Sequence, residues 1–136
     1  MSSAAVDVVV DASIVAAWLL PDEDGSSAEG LLERVSNGET LGAPWLFWAE
    51  LRNILIVNER RGRLSGTSVD VFLHALRALP IQLDTSPTEG RVLAMSRKHE
   101  LSVYDALYLE LALRLGVPLF SLDRRLVAAA TVENAV

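Results

Sequence analysis

Two aspartates stand where a buried-looking strand gives way to a helix. Asp11 follows Val8-Val9-Val10 and precedes the apolar stretch Ala12 to Leu20; Asp123 follows Val117 to Leu122 and precedes Arg124-Arg125-Leu126-Val127-Ala128-Ala129-Ala130. In open α/β sheets the carboxyl ends of the strands border the crevice where ligands bind. Two acids there are placed to hold a cation. Each also has a local alternative, because an Asp at such a junction caps the following helix by accepting from its first N–H groups. Two more acids sit inside helical patterns. Glu50 has Leu46, Phe47, Asn53 and Ile54 as its neighbours three and four residues away. A carboxylate on that face is costly unless it is paired or binds metal; the competing reading turns it to solvent or to a distant Arg. Asp105 shares a face with Leu101, Tyr108 and Leu109, while Ser102-x-x-Asp105 also fits a capping box in which the acid returns to the cap N–H.

Were the four acids to converge, their repulsion would decide the chemistry. Two carboxylates about 5 Å apart repel by roughly 3 kcal/mol at an effective dielectric of 20. Full ionisation of four then requires a cation. The chain has no Cys, and its two His are His74, in the middle of a helical pattern, and His99, beside Arg97-Lys98. Neither has a partner at ligand spacing. An oxygen-only donor set suits Mg2+ or Mn2+ rather than zinc. Such an ion keeps waters, meets substrate phosphates and makes a water nucleophilic, which is the chemistry of phosphodiester cleavage. The net charge of −6 argues against a polyanionic partner taken alone. Removing these four acids from the 18 leaves 14 against 12 Lys and Arg, or −2, so much of the acidity would belong to the metal site. Arg60-Arg61-Gly62-Arg63 and Arg124-Arg125 could meet phosphates, or be solvated helix ends where cations offset the dipole.

The elements that must position these residues alternate short β-like runs with helical patterns, which predicts an α/β fold with a mainly parallel sheet. A chain of 136 residues that is 51% hydrophobic has the core for a single domain spanning 1–136. The spacing predicts strands at Asp7 to Val10, Leu41 to Ala43, Ile81 to Leu83 and Val117 to Leu122, with Thr131-Val132 as a last edge strand. Helices are predicted at Ala12 to Leu20, Ala28 to Ser36 after an acidic turn at Asp22 to Ser27, Pro44 to Arg60, Ser68 to Leu79, Thr88 to Lys98, Val103 to Leu115 and after Asp123. Pro44 suits a first helical turn, and Gly116 a helix end. The N-terminus has no basic region and Asp7 interrupts its apolar part, so a signal peptide is not expected. No uncharged stretch approaches the roughly 20 residues of a membrane span. A cytoplasmic location is expected.

The ordered set Val8-Val9-Val10-Asp11-Ala12-Ser13, Trp48-Ala49-Glu50-Leu51-Arg52-Asn53, Ser102-Val103-Tyr104-Asp105-Ala106-Leu107-Tyr108 and Phe120-Ser121-Leu122-Asp123-Arg124-Arg125 resembles the PIN-domain ribonucleases, specifically the VapC toxins of type II toxin–antitoxin modules. The resemblance spans almost the whole chain. It implies a three-layer PIN-like fold, with about five mainly parallel strands flanked by helices, and metal-dependent endonucleolytic cleavage of RNA. It maps the family's acids onto Asp11, Glu50, Asp105 and Asp123, around Mg2+ or Mn2+. Within that set the roles we expect are Asp11 and Asp105 as the main ligands, Asp123 binding directly or through water, and Glu50 ligating or orienting the attacking water. Ser121, two places before the last acid, is expected to support the site, and Ser13 to orient Asp11. Apart from the resemblance, Arg124 and Arg125 are the candidate contacts to substrate phosphate. The resemblance further implies a homodimer silenced by a cognate antitoxin whose C-terminal segment covers the site. Trp18, Trp45, Phe47 and Trp48 could line the groove for that segment, but ordinary core is the favoured reading for these aromatics.

Two other functions compete. The same fold could serve as a non-catalytic interaction module. Alternatively Asp11 could accept a phosphoryl group; haloacid-dehalogenase phosphatases carry Asp-x-Asp where Ser13 stands here, and receiver domains need a lysine at a later strand end, whereas the only lysine, Lys98, lies in a helical pattern.

Overall fold

The computed structural model describes residues 5–20 and 25–136, with side chains absent from the description at 25–27. Among these residues the sheet has four strands: β1 (Val8–Val10), β2 (Leu41–Pro44), β3 (Ile81–Asp84) and β4 (Leu119–Phe120). Their spatial order is β3-β2-β1-β4 and every pairing is parallel. The register sets Val8 against Leu41, Val9 against Leu119 and Leu41 against Ile81. β1 is central and its three valines are wholly buried. A strand covered on both faces can be uniformly apolar, which is why it reads as a run rather than an alternation.

Seven helices among the described residues complete a three-layer α/β arrangement: α1 (Ala12–Ala16), α2 (Gly25–Ser36), α3 (Phe47–Arg60), α4 (Gly66–Leu76), α5 (Glu89–His99), α6 (Val103–Leu115) and α7 (Arg124–Val132). α6 packs on β1, β2 and β4, with α5 and α7 against it, while α1 packs on α2 and α3, and α3 on α4. α6 carries an unbroken buried run from Ala106 to Ala112, as a helix crossing a sheet under a second helix must. Its N-cap is Ser102, which accepts from the Asp105 N–H at 3.0 Å, and its C-cap is Gly116 at φ 67. The left-handed conformation there suits glycine.

The expected sheet of about five strands loses its last member. Thr131 and Val132 are the final residues of α7, and Val132 is exposed. Leu126, Ala129 and Ala130 are buried at helical spacing, and the alanine run favours continuing the helix. The tail touches the sheet through one bond instead, from the Leu119 N–H to the Ala135 carbonyl at 3.0 Å. Pro44 is likewise not the first turn of α3. It ends β2 in register with Asp84, and Trp45 donates to the Asp84 carbonyl at 3.0 Å before the helix begins at Phe47. A proline lacks only a donor, so it can close a strand. The first helix is shorter than expected, with turns following Ala16, and β4 covers only Leu119 and Phe120 of the six-residue run. α2 begins at Gly25, ahead of the expected Ala28, and so takes in Gly25 to Ser27 of the expected acidic turn; Asp22 to Asp24 lie outside the described residues.

Candidate functional site

β1 feeds the chain outward through β2 to β3, and the chain then returns to place β4 on the other side of β1. The order therefore reverses between β1 and β4. In doubly wound sheets the ligand crevice lies at the carboxyl ends of the strands at such a reversal, and Asp11 and Asp123 lie just past those ends.

Asp11 is 6% exposed. Its Oδ1 accepts from the Ser13 hydroxyl at 2.6 Å and from the Ile14 N–H at 3.2 Å, while Oδ2 accepts from the Ser121 hydroxyl. Both serines accept in turn: Ser13 Oγ from the Leu122 N–H at 3.1 Å, and Ser121 Oγ from the Asp123 N–H at 2.9 Å. Two hydroxyls thus tie the end of β1 to the chain leaving β4 and hold Asp11 in one orientation. Asp123 caps α7, accepting from the Leu126 N–H at 3.0 Å. The capping role foreseen for each aspartate is real, and it coexists with a place in the cavity.

Glu50, in the first turn of α3, is half-buried. It turns neither to solvent nor to an arginine: the Tyr108 hydroxyl donates to its Oε1 at 2.6 Å. Asp105 lies one turn before Tyr108 in α6 and is also half-buried. Asp11, Glu50, Asp105 and Asp123 line one cavity of about 210 Å³, with Ser13, Asn53 and Tyr108 among its other walls.

Their electrostatics follow from that sharing. Burial pushes the Asp11 carboxyl above its ordinary range; the hydroxyls of Ser121 and Ser13 and the Ile14 N–H pull it back, and the charge of Asp123 pushes it up. Burial likewise raises Glu50, opposed by the Tyr108 hydroxyl and reinforced by Asp105 and Asp11. Asp105 is raised by burial, then by Asp123 and Asp11. Burial and the Glu50 carboxylate push the Tyr108 phenol far up, so it remains a donor. Acids that raise one another while facing a common space are a hallmark of a functional site.

The donor set fits a hard divalent cation. It is all carboxylate oxygen, it is mutually repulsive, and neither His74 nor His99 lines the cavity. Among the described residues no three acidic or imidazole side chains close on a common point at ligand spacing.

A search of family models matches residues 8–132 to the PIN domain. The chain belongs to the PIN-domain family. Among curated relatives, ribonuclease VapC3 of Pyrobaculum aerophilum is 33% identical over 123 residues, covering 88% of this chain and 91% of that protein. Ribonuclease VapC3 of Mycobacterium tuberculosis is 36% identical over 132 residues, covering 95% and 91%. The crystal structure of PAE2754 from Pyrobaculum aerophilum superposes with a TM-score of 0.73 at 25% identity, over 93% of this chain and 81% of that one.

Other sequence expectations for this PIN domain fall out differently. Arg124 and Arg125 are exposed at the start of α7. Arg125 lines a separate cavity of about 270 Å³ with His99 and Glu100. Lys98 pairs with Glu133 at 2.6 Å from α5, so the lysine a receiver would need is not at the Asp11 cavity. The core reading of the aromatics holds for Phe47, which is buried, and for half-buried Trp18, whose Nε1 donates to the Ala28 carbonyl at 2.8 Å. It fails for Trp45 and Trp48, exposed by 49% and 56%. The Arg52 guanidinium lies 3.8 Å from the Trp48 ring centroid, a stacking that lets an aromatic stay on the surface. Trp48 and Arg52 border a groove of about 630 Å³ between α3, α4 and the edge strand β3. Sequence reasoning missed the Tyr108–Glu50 bond and the lining by Asn53. The only signal for the first was that Tyr108 shares a helix face with Asp105.

Proposed function

We propose that this chain is a metal-dependent endoribonuclease, the toxin component of a toxin–antitoxin module, that cleaves RNA phosphodiester bonds with a metal-activated water. The observation that carries this reading is the opening of four carboxylates from four helix starts onto one cavity at the reversal point of the sheet. The ribonuclease names of relatives at 33% and 36% identity support RNA as the substrate class.

Asp11 and Asp105 would be the principal ligands of Mg2+ or Mn2+, with Asp123 directly or through water. A bound divalent ion supplies a nucleophilic water near neutral pH and stabilises charge developing on the phosphate. Ser13 and Ser121 keep Asp11 in its orientation, so its lone pairs are aimed before a ligand arrives. Glu50 ligates or orients the attacking water and can accept its proton. Arg124, exposed beside Asp123, would meet a backbone phosphate. A homodimer, a cognate antitoxin over the site and a cytoplasmic location complete the proposal. None of the described helices is long and apolar enough to cross a membrane.

The test is cleavage of a defined RNA by purified protein in Mg2+, in Mn2+ and in excess chelator, alongside alanine variants of the four acids whose folding is checked by melting. The proposal expects metal-dependent cleavage that each alanine abolishes. A folded wild-type chain that binds these ions yet leaves RNA intact would instead support the non-catalytic interaction module.

A further inference from the structure

We propose that Tyr108 is a positioning residue for Glu50: its buried hydroxyl pins Oε1 and thereby fixes how the carboxylate is offered to the cavity shared with Asp11, Asp105 and Asp123. This role rests on the nuclease reading above and adds to it a residue outside the acidic set.

Three observations carry the inference. The first is cost. Tyr108 is 1% exposed and lies in the buried face of α6, where phenylalanine would fill the same space. A phenol there is tolerated because its hydroxyl has a partner, and that partner is a carboxylate 58 residues away, at 2.6 Å. The second is need. Asp11 is held by two hydroxyls and an N–H, and Asp123 by the Leu126 N–H. Glu50 has the longest side chain of the four and the most rotamer freedom to lose. The Tyr108 bond is what restrains it. The third is placement. Tyr108 follows Asp105 by one turn of the same helix, and both line the cavity. α6 therefore supplies one acid directly and sets the orientation of a second. Because the hydroxyl engages Oε1, Oε2 keeps its lone pairs for an incoming ion or water. Partners of this kind, which touch a ligating group rather than the metal, typically govern metal affinity or rate by 10- to 100-fold.

The experiment compares wild type, Tyr108→Phe, Glu50→Gln and the double variant Glu50→Gln/Tyr108→Phe. Mn2+ binding is measured by titration calorimetry, cleavage by kcat and KM on one RNA, and folding by melting. Tyr108→Phe should weaken Mn2+ binding or lower kcat by about 10-fold or more with KM for RNA unchanged. In the Glu50→Gln background, where cleavage is already lost, the same change should have no further effect on Mn2+ affinity. An equal loss in both backgrounds would mark a merely structural role and overturn the proposal, as would an unchanged single variant. Should Tyr108→Phe fold poorly, 3-fluorotyrosine labelling of the native sequence replaces it. The chain has two tyrosines, exposed Tyr104 and buried Tyr108. The buried fluorine resonance should move on addition of Mg2+ in the native sequence and stay still in Glu50→Gln; immobility in the native sequence, with Mg2+ shown to bind, refutes the coupling. A wild-type chain that neither binds Mn2+ nor cleaves RNA removes the nuclease reading and this role together, whereas an active wild type with an indifferent Tyr108→Phe removes this role alone.

Discussion

Replacing Asp11 by Asn should stabilise the cation-free chain while removing its response to divalent ions. Asp11 is buried, and the charge of Asp123 reaches it. Burial of the charge is the larger cause, and the repulsion from exposed Asp123, screened by solvent, the lesser; together they are worth roughly 2–3 kcal/mol. Asparagine removes the charge and keeps the shape. Its carbonyl can still accept from Ser13 and Ile14, but its amide meets Ser121, whose hydroxyl must turn from donor to acceptor. Neutral bonds in place of charge-assisted ones cost about 1–2 kcal/mol. The net is a gain of about 1 kcal/mol, or roughly 3–5 °C for a domain of this length. Wild type should rise by about 2.7 kcal/mol, roughly 10 °C, when Mn2+ reaches 100 times its dissociation constant; the variant should barely move. Differential scanning calorimetry at one pH, in chelator and in Mn2+, reads both effects. If Asp11→Asn melts below wild type in chelator and gains as much from Mn2+, the reasoning that Asp11 is strained by its neighbours and relieved by a cation is wrong.

Other outcomes follow from the same geometry. Burial and mutual repulsion raise Asp11, Glu50 and Asp105. Each therefore subtracts stability as pH climbs above the ordinary carboxylate range and through its raised value. Asp84 is lowered by the Arg114 hydrogen bonds, and Glu133 by Lys98 and His99; their contributions are present above the ordinary values and lost as pH falls through the lowered ones. The cation-free chain should thus melt higher near about pH 5 than at about pH 8, a gap that Mg2+ closes, and a melting temperature rising over that span in chelator would contradict this. Arg114→Ala should cost about 2–3 kcal/mol, or about 10 °C, by calorimetry. It strands Glu110, 1% exposed, which otherwise accepts from Arg114 Nε at 2.8 Å and from the Thr88 N–H at 3.1 Å. RNA cleavage well below the melt should be unchanged. Ser121→Ala should cut cleavage at least 10-fold, by releasing Asp11 Oδ2 and the Asp123 N–H together; a rate within twofold of wild type would show that Asp11 needs no such clamp.

Where one residue type satisfied two constraints, the sequence was readable. Val8-Val9-Val10-Asp11 shows a strand buried on both faces and an acid at its end; Ser13 and Ser121 were expected beside that acid, and the structure adds that both hydroxyls bond directly to its carboxylate. The parallel sheet followed from alternation, but its edges did not. Thr131-Val132 has β-branched residues and lies in a helix, because burial of Ala129 and Ala130 decides the segment. Pro44 fits a helix start and a strand end equally well until Asp84 stands opposite it. Glu50 and Asp105 stood out as acids among apolar neighbours. Glu110, in Tyr108-Leu109-Glu110-Leu111, carried the same signal and is the more deeply buried acid, yet it serves the fold through Arg114 and Thr88. The two differ in where their partners lie: Glu110 has Arg114 one helical turn on in its own helix, a local signal, whereas the partner of Glu50 is Tyr108 on another element and is invisible to local sequence. The exposed Trp48 escaped for a related reason: the Arg52 that covers its face is one helical turn away, where a core reading looks for apolar neighbours.

Anomalous scattering from a crystal soaked in Mn2+ tests the central claim most directly. The account predicts a peak inside the acidic cavity, at about 2.1 Å from oxygens of Asp11 and of at least one of Glu50, Asp105 and Asp123, and lost in crystals of Asp11→Asn. Well-occupied peaks elsewhere on the molecule, with that cavity holding only water, would contradict it.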